Sequence, residues 1–395
     1  MKTTSLIILG AGKVGCALVR QLMEAAPLHS ARDGLLFSIV AWCDRTGAAV
    51  DERGLSDESL QVIEAAKARG IPLAETPYGY AQNDLGAIVD VAGTDGSIVV
   101  DVTASDATVG ALELALRRGY QVALANKLPL AGDQATFDRL VAGGRTRYES
   151  TVGSAVPVIE TARAIMRAAD RVDVVRGALS GTLGFLCTGL EAGRPFSGLV
   201  LEAMQRGYAE PDPRVDLSGQ DVARKALILA RTLGWRLEMA DISLTPLQES
   251  TLDSQNRVVG HEMAPLGVPA CGVAALSLPE FLAGLPALDG AFADQVQRAA
   301  SDGKVLRYVA ELREGRAQES TPYVQESTLY VSVGLQALPL DSALGRLRGN
   351  DNLVAFYTHY YPDEPLVIQG RGAGVDAAAA GVHADLVALA GSEKR

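Results

Sequence analysis

Two lysines stand where chemistry is possible. Lys127 follows directly on an apolar, strand-like run at 121–125, in Ala125-Asn126-Lys127-Leu128-Pro129. Open α/β sheets bind ligands at the carboxyl ends of their strands, so an ammonium group there can meet a small substrate. Lys225 closes a stretch dense in carboxylates that runs from Gly207 through Glu210, Asp212, Asp216 and Asp221. Asp221 and Lys225 are four apart and share one face of the helix expected over 219–233. Its apolar stripe holds Val222, Ala226, Leu229 and Leu233. Lys225 lies at the edge of that stripe, and Arg224 and Arg231 lie opposite. Ser218 can cap this helix with Asp221 in the capping-box position, and Gly234 can end it. A lysine bordering a buried face, beside an acid, can serve as a positioned proton donor. The same spacing also suits a solvated ion pair on a capped helix, and spacing alone leaves both readings open.

Gly10-Ala11-Gly12-Lys13-Val14-Gly15 is a G-x-G-x-x-G between an expected strand at 6–9 and an expected helix at 16–26. The glycines allow a tight turn, close approach of a pyrophosphate and close helix–strand packing, and the helix offers free N–H groups to phosphate. The pattern by itself is common; its place between strand and helix makes it a dinucleotide site. The second strand, 37–43, ends at Asp44-Arg45. An acid there can hold the ribose 2′-hydroxyl of NAD, and an arginine the 2′-phosphate of NADP. Both residue types are present, which leaves the choice open with a lean to NAD. Asp44 comes later than the usual distance of about 20 residues, and the polar insertion 27–34 accounts for the delay.

These residues need elements to hold them. Strand-length apolar runs alternate with helical stretches through about the first 150 residues, the mark of a parallel α/β sheet. Further strands are expected at 87–91, 98–102, 121–125 and 146–151, with helices at 59–69 and 107–118. From 157 the pattern shifts to long helices, 158–168 and 199–206, then to β-rich stretches at 306–312 and 328–335. A strand at 352–358, a glycine-rich turn and an alanine-rich helix close the chain. The order fits α/β architecture: a Rossmann-type nucleotide-binding domain (1–150), an inserted α+β domain (151–345) and a C-terminal return to the first domain (346–395).

Bulk properties exclude several classes. A net charge of −11 argues against nucleic-acid and anionic-membrane partners, which require clustered Lys and Arg. No run approaches the ~20 apolar residues of a membrane span, and the short apolar start reads as a strand rather than a signal peptide. Cys16, Cys43, Cys187 and Cys271 show no paired spacing, which points away from disulfides or a zinc cluster and toward a reducing cytoplasm. His29, His261, His359 and His383 are scattered, and no catalytic or metal role is expected of them.

Glu210-Pro211-Asp212-Pro213, Asp216, Gly219, Asp221 and Lys225 together resemble the signature of homoserine dehydrogenases. Other segments resemble that family in the same order: the glycine turn, Asp101-Val102-Thr103-Ala104-Ser105, Ala125-Asn126-Lys127, Glu149-Ser150-Thr151-Val152-Gly153, Leu179-Ser180-Gly181-Thr182-Leu183 and Gly370-Arg371-Gly372-Ala373-Gly374. The resemblance spans nearly the whole chain. It implies NAD(P)-dependent interconversion of L-homoserine and L-aspartate 4-semialdehyde, in threonine and methionine biosynthesis. It implies that Lys225 exchanges the proton at the substrate oxygen and that Lys127 assists between cofactor and substrate. Glu210 and Asp216 would hold the substrate amino group, with Asp221, Gly207 and Thr182 beside it. Thr103 and Ala104 would touch the cofactor, and Gly374 would close over its nicotinamide side. Glu149, by side chain or backbone, and the carbonyls of Val152, Ser154 and Val156 would surround a structural sodium ion. The inserted domain would bind substrate and form a homodimer.

Three positions depart from the family pattern. Gly184 stands where relatives carry Ser or Asn, Arg371 where a small residue or Pro is usual, and Ala378 in place of Thr. They put substrate affinity and cofactor choice in doubt. The glycine turn begins at residue 10 and the chain ends in the alanine-rich helix, so a monofunctional enzyme without aspartokinase or ACT domains is expected. Two other readings use the same residues: another NAD(P)-dependent oxidoreductase of a small aldehyde or sugar, and a non-catalytic dinucleotide-sensing regulator. The acidic turn ending in Lys225 opposes the first, and the presence of both lysines opposes the second.

Overall fold

The computed structural model describes residues 2–252, 258–260, 276–315 and 328–392. Two compact units emerge: residues up to Glu160 together with those from Gly374 on, and the intervening Thr161–Ala373. In the first unit six strands lie in the order β3 (Ala48–Val50), β2 (Leu35–Cys43), β1 (Lys2–Leu9), β4 (Ile98–Asp101), β5 (Gln121–Leu124) and β6 (Thr146–Arg147). Neighbours are parallel except β2 and β3. Leu6–Leu9 and Ile98–Val100 are continuous apolar runs, as strands covered on both faces must be. Strand order reverses between β1 and β4, and an open α/β sheet leaves its ligand crevice at such a point. Leu9 and Asp101 pair in register there, so the glycine turn after β1 and the loop after β4 start side by side.

The helices of this unit are α1 (Lys13–Asp33), α2 (Asp57–Ala68), α3 (Leu85–Ala92), α4 (Val109–Arg117), α5 (Leu128–Ala131) and α6 (Gln134–Val141). The closing helix Val375–Ser392 returns to bury Ala379, Val382, Leu386 and Leu389 in one core with Leu6, Ile8 and Leu18. Full burial of each such leucine contributes about 2 kcal/mol.

Local expectations change at three places. Residues 87–91 lie in α3 rather than in a strand: Asp84 accepts the Ala87 amide at 3.1 Å and starts a helix. A short apolar run without a period cannot separate the two. The segment 27–34 is not a loop, because α1 continues through Pro27 to Asp33. The late position of Asp44 thus reflects about two extra helical turns. Only Thr146–Arg147 of the run 146–151 is strand, and Glu149–Thr151 is a tight 3-10 turn.

Where α1 meets the closing helix, His29 Nε2 and His383 Nε2 are 2.7 Å apart, and His29 Nδ1 is 2.9 Å from Asp33. Burial, then the neighbouring His29, pulls His383 down to about 4, against about 6.5 for a free imidazole. Between those values the unfolded chain binds the extra proton, so stability rises with pH through this window and is complete above it. Acidification from pH 7 to 4 is expected to lower stability through this group, by less than the full shift because solvent screens the partly exposed ring. His383→Asn should flatten that slope in urea titrations at several pH values; an unchanged slope would refute the assignment.

The second unit carries a mixed sheet in the order β14 (Leu366–Gly370), β13 (Asn352–Thr358), β7 (Val172–Ala178), β11 (Lys304–Gly315), β12 (Thr328–Pro339) and β8 (Ile242–Leu244). Neighbours are antiparallel except β12 and β8. β9 (Ser250–Leu252) and β10 (Val258–Gly260) form a separate pair. β13 and β14 belong to this sheet, so the return to the first unit starts at Gly374 rather than at 346. Its helices include α8 (Gly181–Glu191), α9 (Phe196–Gln205), α10 (Arg214–Leu217) and α11 (Gln220–Thr232); α7 (Val158–Arg167) lies where the chain passes from one unit to the other.

α11 is buried almost all round. Arg231, expected on its solvent side, is buried and donates to the Leu237 carbonyl at 2.8 Å and to Glu238 at 3.0 Å. Ser218 does not cap α11. Gly219 is its N-cap, and Asp221 pairs with Lys225 instead of completing a capping box.

Among the described residues, no helix is long and apolar enough to cross a membrane, and no three His, Cys, Asp or Glu gather to hold a metal. Cys16, Cys43 and Cys187 are free thiols. Cys271 and His261 lie outside the described residues.

Candidate functional site

The first unit brings the glycine turn, Thr103 and Lys127 to the carboxyl ends of β1, β4 and β5. The glycines have separate physical reasons. A Cβ on Gly15 would lie 2.0 Å from the Gly10 carbonyl oxygen, so the turn closes only on glycine. A Cβ on Gly12 would meet nothing within 4 Å. Gly12 is also the N-cap of α1, with no side-chain cap and no acid in the first turn. Open space in front of unsatisfied N–H groups fits a pyrophosphate. Gly12→Ala is therefore expected to keep the melting temperature within about 2 °C while raising the dinucleotide Kd at least tenfold, roughly 1.4 kcal/mol. Thermal unfolding and fluorescence titration check this, and unchanged affinity would remove the turn from the cofactor site.

Asp44 is committed inside the protein. One carboxylate oxygen accepts the Thr46 amide at 2.8 Å, the Thr46 hydroxyl at 2.5 Å and the Gly47 amide at 3.2 Å. The other accepts Lys67 Nζ at 2.5 Å and the Leu73 amide at 3.1 Å. Burial pushes this carboxyl up, but the Lys67, Thr46 and Leu73 hydrogen bonds prevail and bring it to about 2. A carboxylate offers about four lone-pair positions, and these donors fill them. The lean to NAD loses its basis, since no acceptor is left for a ribose hydroxyl. Arg45 beside it is exposed.

Lys127 is half-buried and takes the N-cap position of α5, in the loop after β5, without a side-chain cap bond. Its neighbour Asn126 is buried and donates to Asp101, to Thr103 Oγ1 and to the Ser105 carbonyl. Gly374, with φ +122, opens the closing helix.

The second unit gathers the other candidates around the start of α8. Ser180 caps this helix, accepting the Leu183 amide. The Thr182 hydroxyl lies 2.6 Å from the Tyr208 carbonyl and 3.1 Å from Asp216 Oδ1. Asp216 Oδ2 accepts the Glu210 amide at 2.8 Å. Gly207, at φ +68, turns the chain from α9 into this acidic stretch. Lys225 Nζ donates to the Leu179 carbonyl at 2.7 Å and pairs with Asp221 at 2.9 Å; the residue is 9% exposed. Burial, then the charges of Glu210 and Asp221, holds the Asp216 carboxyl above its ordinary range. A half-buried carboxylate of this kind is stabilised by a cation, and an ammonium group of a ligand would supply it.

The Glu149 side chain is committed inside the protein. Its carboxylate accepts the Ile159 and Glu160 amides, each at 2.8 Å, and so caps the start of α7. The side chain is engaged as a helix cap, which leaves the Glu149 backbone carbonyl and those of Val152, Ser154 and Val156 as the ion ligands to consider. Ser154 sits in the left-handed region, at φ +56, and the Val156 carbonyl already accepts the Val158 amide.

Residues 10–149 match the family model described as homoserine dehydrogenase, NAD binding domain, and residues 157–387 match that described as homoserine dehydrogenase. The chain belongs to the homoserine dehydrogenase family. A homoserine dehydrogenase of Emericella nidulans is 35% identical over 302 residues, 74% of each chain. A bifunctional aspartokinase/homoserine dehydrogenase of Haemophilus influenzae is 30% identical over 391 residues, 98% of this chain and 43% of that protein. The chain thus spans less than half the length of that relative. A hyperthermophilic archaeal homoserine dehydrogenase in complex with NADPH shares the fold, with a TM-score of 0.67 at 20% identity over 100% of this chain and 99% of that one.

Homoserine dehydrogenase segments read from the sequence thus divide between the units, with Lys127 in the first and Lys225 in the second. Of the departures from the pattern, Gly184 has a local reason: a Cβ there would sit 3.1 Å from the Gly349 carbonyl oxygen. Arg371 is exposed, and the Ala378 carbonyl accepts the Ser150 hydroxyl at 2.9 Å. Asp101 and Asn126 lie inside segments that resemble the family, but residue type and spacing alone assign them no role. Buried carboxylate and amide at two adjacent strand ends were the available signal.

Proposed function

We propose that the chain is a homoserine dehydrogenase, interconverting L-homoserine and L-aspartate 4-semialdehyde with NAD or NADP. The observation that carries this is Lys225, a nearly buried ammonium held by the Leu179 carbonyl and Asp221 beside the Thr182–Asp216–Glu210 patch. Glu210 and Asp216 hold the substrate ammonium, whose charge stabilises the half-buried Asp216 carboxylate. Thr182, Gly207 and Asp221 border it. As the aldehyde is reduced, Lys225 gives a proton to the oxygen that becomes the alkoxide, and on oxidation it takes that proton back. Lys127, at the carboxyl end of β5, assists with positive charge on the dinucleotide side. The dinucleotide, when bound, supplies or accepts the hydride. On the protein side, the first-turn amides of α1 with Gly10–Gly15, and Thr103, Ala104 and Gly374, hold it. A sodium ion would be held by the backbone carbonyls of Glu149, Val152, Ser154 and Val156. A homodimer and a cytoplasmic setting belong to the same reading.

The test is absorbance of reduced nicotinamide when the protein meets homoserine with NAD or NADP. A homoserine-dependent signal is expected. Absence of signal with both cofactors, in protein that binds dinucleotide, would overturn the enzyme reading.

A further inference from the structure

Asp101 ends the strand between the glycine turn and the Lys127 loop, and its side chain is 0% exposed. Among the described residues no Lys, Arg or His pairs with it; hydrogen bonds alone hold it. Oδ1 accepts the Thr103 amide at 2.9 Å and the Thr103 hydroxyl at 2.8 Å. Oδ2 accepts the Thr108 hydroxyl at 2.7 Å and Asn126 Nδ2 at 3.0 Å. Its backbone carbonyl also accepts the Ala125 and Asn126 amides. Asn126 Oδ1 in turn accepts the Leu128 amide at 3.1 Å, so bonds grip the chain on both sides of Lys127.

Burying an acid without a counter-ion is unfavourable, and burial raises this carboxyl despite its donors. An apolar residue could fill the space, but only an acceptor-only group can take two donors on each oxygen at once. The arrangement ties the loop 103–108, which follows β4, to the loop 126–128, which follows β5.

We propose that Asp101 is a positioning residue for the reaction, setting Lys127 through Asn126 while fixing Thr103 at the cofactor side. The proposal rests on the dehydrogenase reading above. In Asp101→Asn the new amide keeps one oxygen for Thr103 but turns an N–H toward Asn126 Nδ2, donor against donor. The Thr108 hydroxyl can rotate to accept, so the damage concentrates on the tether to Lys127.

The experiment compares Asp101→Asn, Asn126→Ala and Thr108→Val in homoserine turnover, dinucleotide Kd and melting temperature. Misplacement of a reacting group by about 1 Å costs on the order of a hundredfold. Asp101→Asn and Asn126→Ala are therefore expected to lower kcat by about thirtyfold or more, with dinucleotide Kd changed less than about threefold. Thr108→Val removes a bond to the same oxygen without touching the tether, and should keep kcat within about threefold even as melting falls by a few degrees. A merely structural Asp101 would make all three variants lose activity in step with stability, and that result overturns the proposal. If Asp101→Asn does not fold, Asn126→Ala against Thr108→Val decides alone. Wild-type protein inactive on homoserine sinks the dehydrogenase reading and this proposal together; active wild type with an intact Asn126→Ala variant sinks only the proposal.

Discussion

Lys225→Ala is expected to lower homoserine turnover at least a hundredfold, because general acid–base groups contribute roughly a hundredfold to ten-thousandfold. Removing the side chain also takes a donor from the Leu179 carbonyl and leaves a gap in a helix buried almost all round. Loss of activity from a loosened fold must therefore be separated from loss of the proton. Lys225→Met keeps most of the aliphatic stem and deletes only the ammonium. Both variants should show the same collapse of kcat in steady-state measurements of nicotinamide reduction. Dinucleotide affinity should hold within about threefold, since the glycine turn belongs to the other unit. Near-normal turnover in Lys225→Met would remove Lys225 from the mechanism.

The local energetics favour a lysine that is fixed rather than merely paired. Asp221 is partly exposed, so the ion pair by itself is worth little. The Leu179 carbonyl adds a short bond in a dry place, where a bond to a charged donor is worth about 1.5–3 kcal/mol. Leu179 immediately precedes Ser180 and Gly181, so the ammonium is anchored to the start of α8, and Thr182 one turn on carries Asp216 and the Tyr208 carbonyl. One helix start thus holds the Lys225 ammonium, the proposed proton donor, together with Asp216, one of the acids proposed to hold substrate.

The parts of this site set by short-range pattern were legible in the sequence. Glycines between strand and helix, a lysine at a strand end, and an acid four residues before Lys225 all follow from local geometry. What was not legible depends on side-chain contacts that periodicity does not announce, some local and some distant. Whether 87–91 is strand or helix turns on Asp84 taking a cap position, which an apolar run does not announce. Arg231 looked solvent-facing on a helical wheel, yet the Leu237 carbonyl comes from beyond the helix to meet it. Asp44 kept its place at the end of β2, but Lys67 and the Leu73 amide approach it from more than twenty residues away. Asp101 and Asn126 are an ordinary acid and amide until two strands bring them together.

Gly219→Ala is expected to destabilise the second unit by about 3 kcal/mol, from two separable causes. The residue sits at φ +71, which costs an L-residue roughly 1–2 kcal/mol. Its Cβ would also lie 2.0 Å from the Tyr308 hydroxyl oxygen, which cannot retreat because it donates to the Thr245 carbonyl at 2.7 Å in a buried place. Overpacking of this kind costs about 1–3 kcal/mol. The strain falls on the N-cap of the helix that carries Asp221 and Lys225, so activity should drop along with stability. Tyr308→Phe alone should cost about 1 kcal/mol, since it leaves the Thr245 carbonyl without its donor. In the Gly219→Ala background the same change should recover at least about 1 kcal/mol, giving a clear coupling in a double-mutant cycle. Recovery will be partial, because Tyr308 Cζ at 2.9 Å and Leu244 Cδ1 at 3.0 Å still crowd the new methyl. Strictly additive urea unfolding energies would mean that backbone conformation alone demands glycine here, and that Tyr308 plays no part in seating the Lys225 helix.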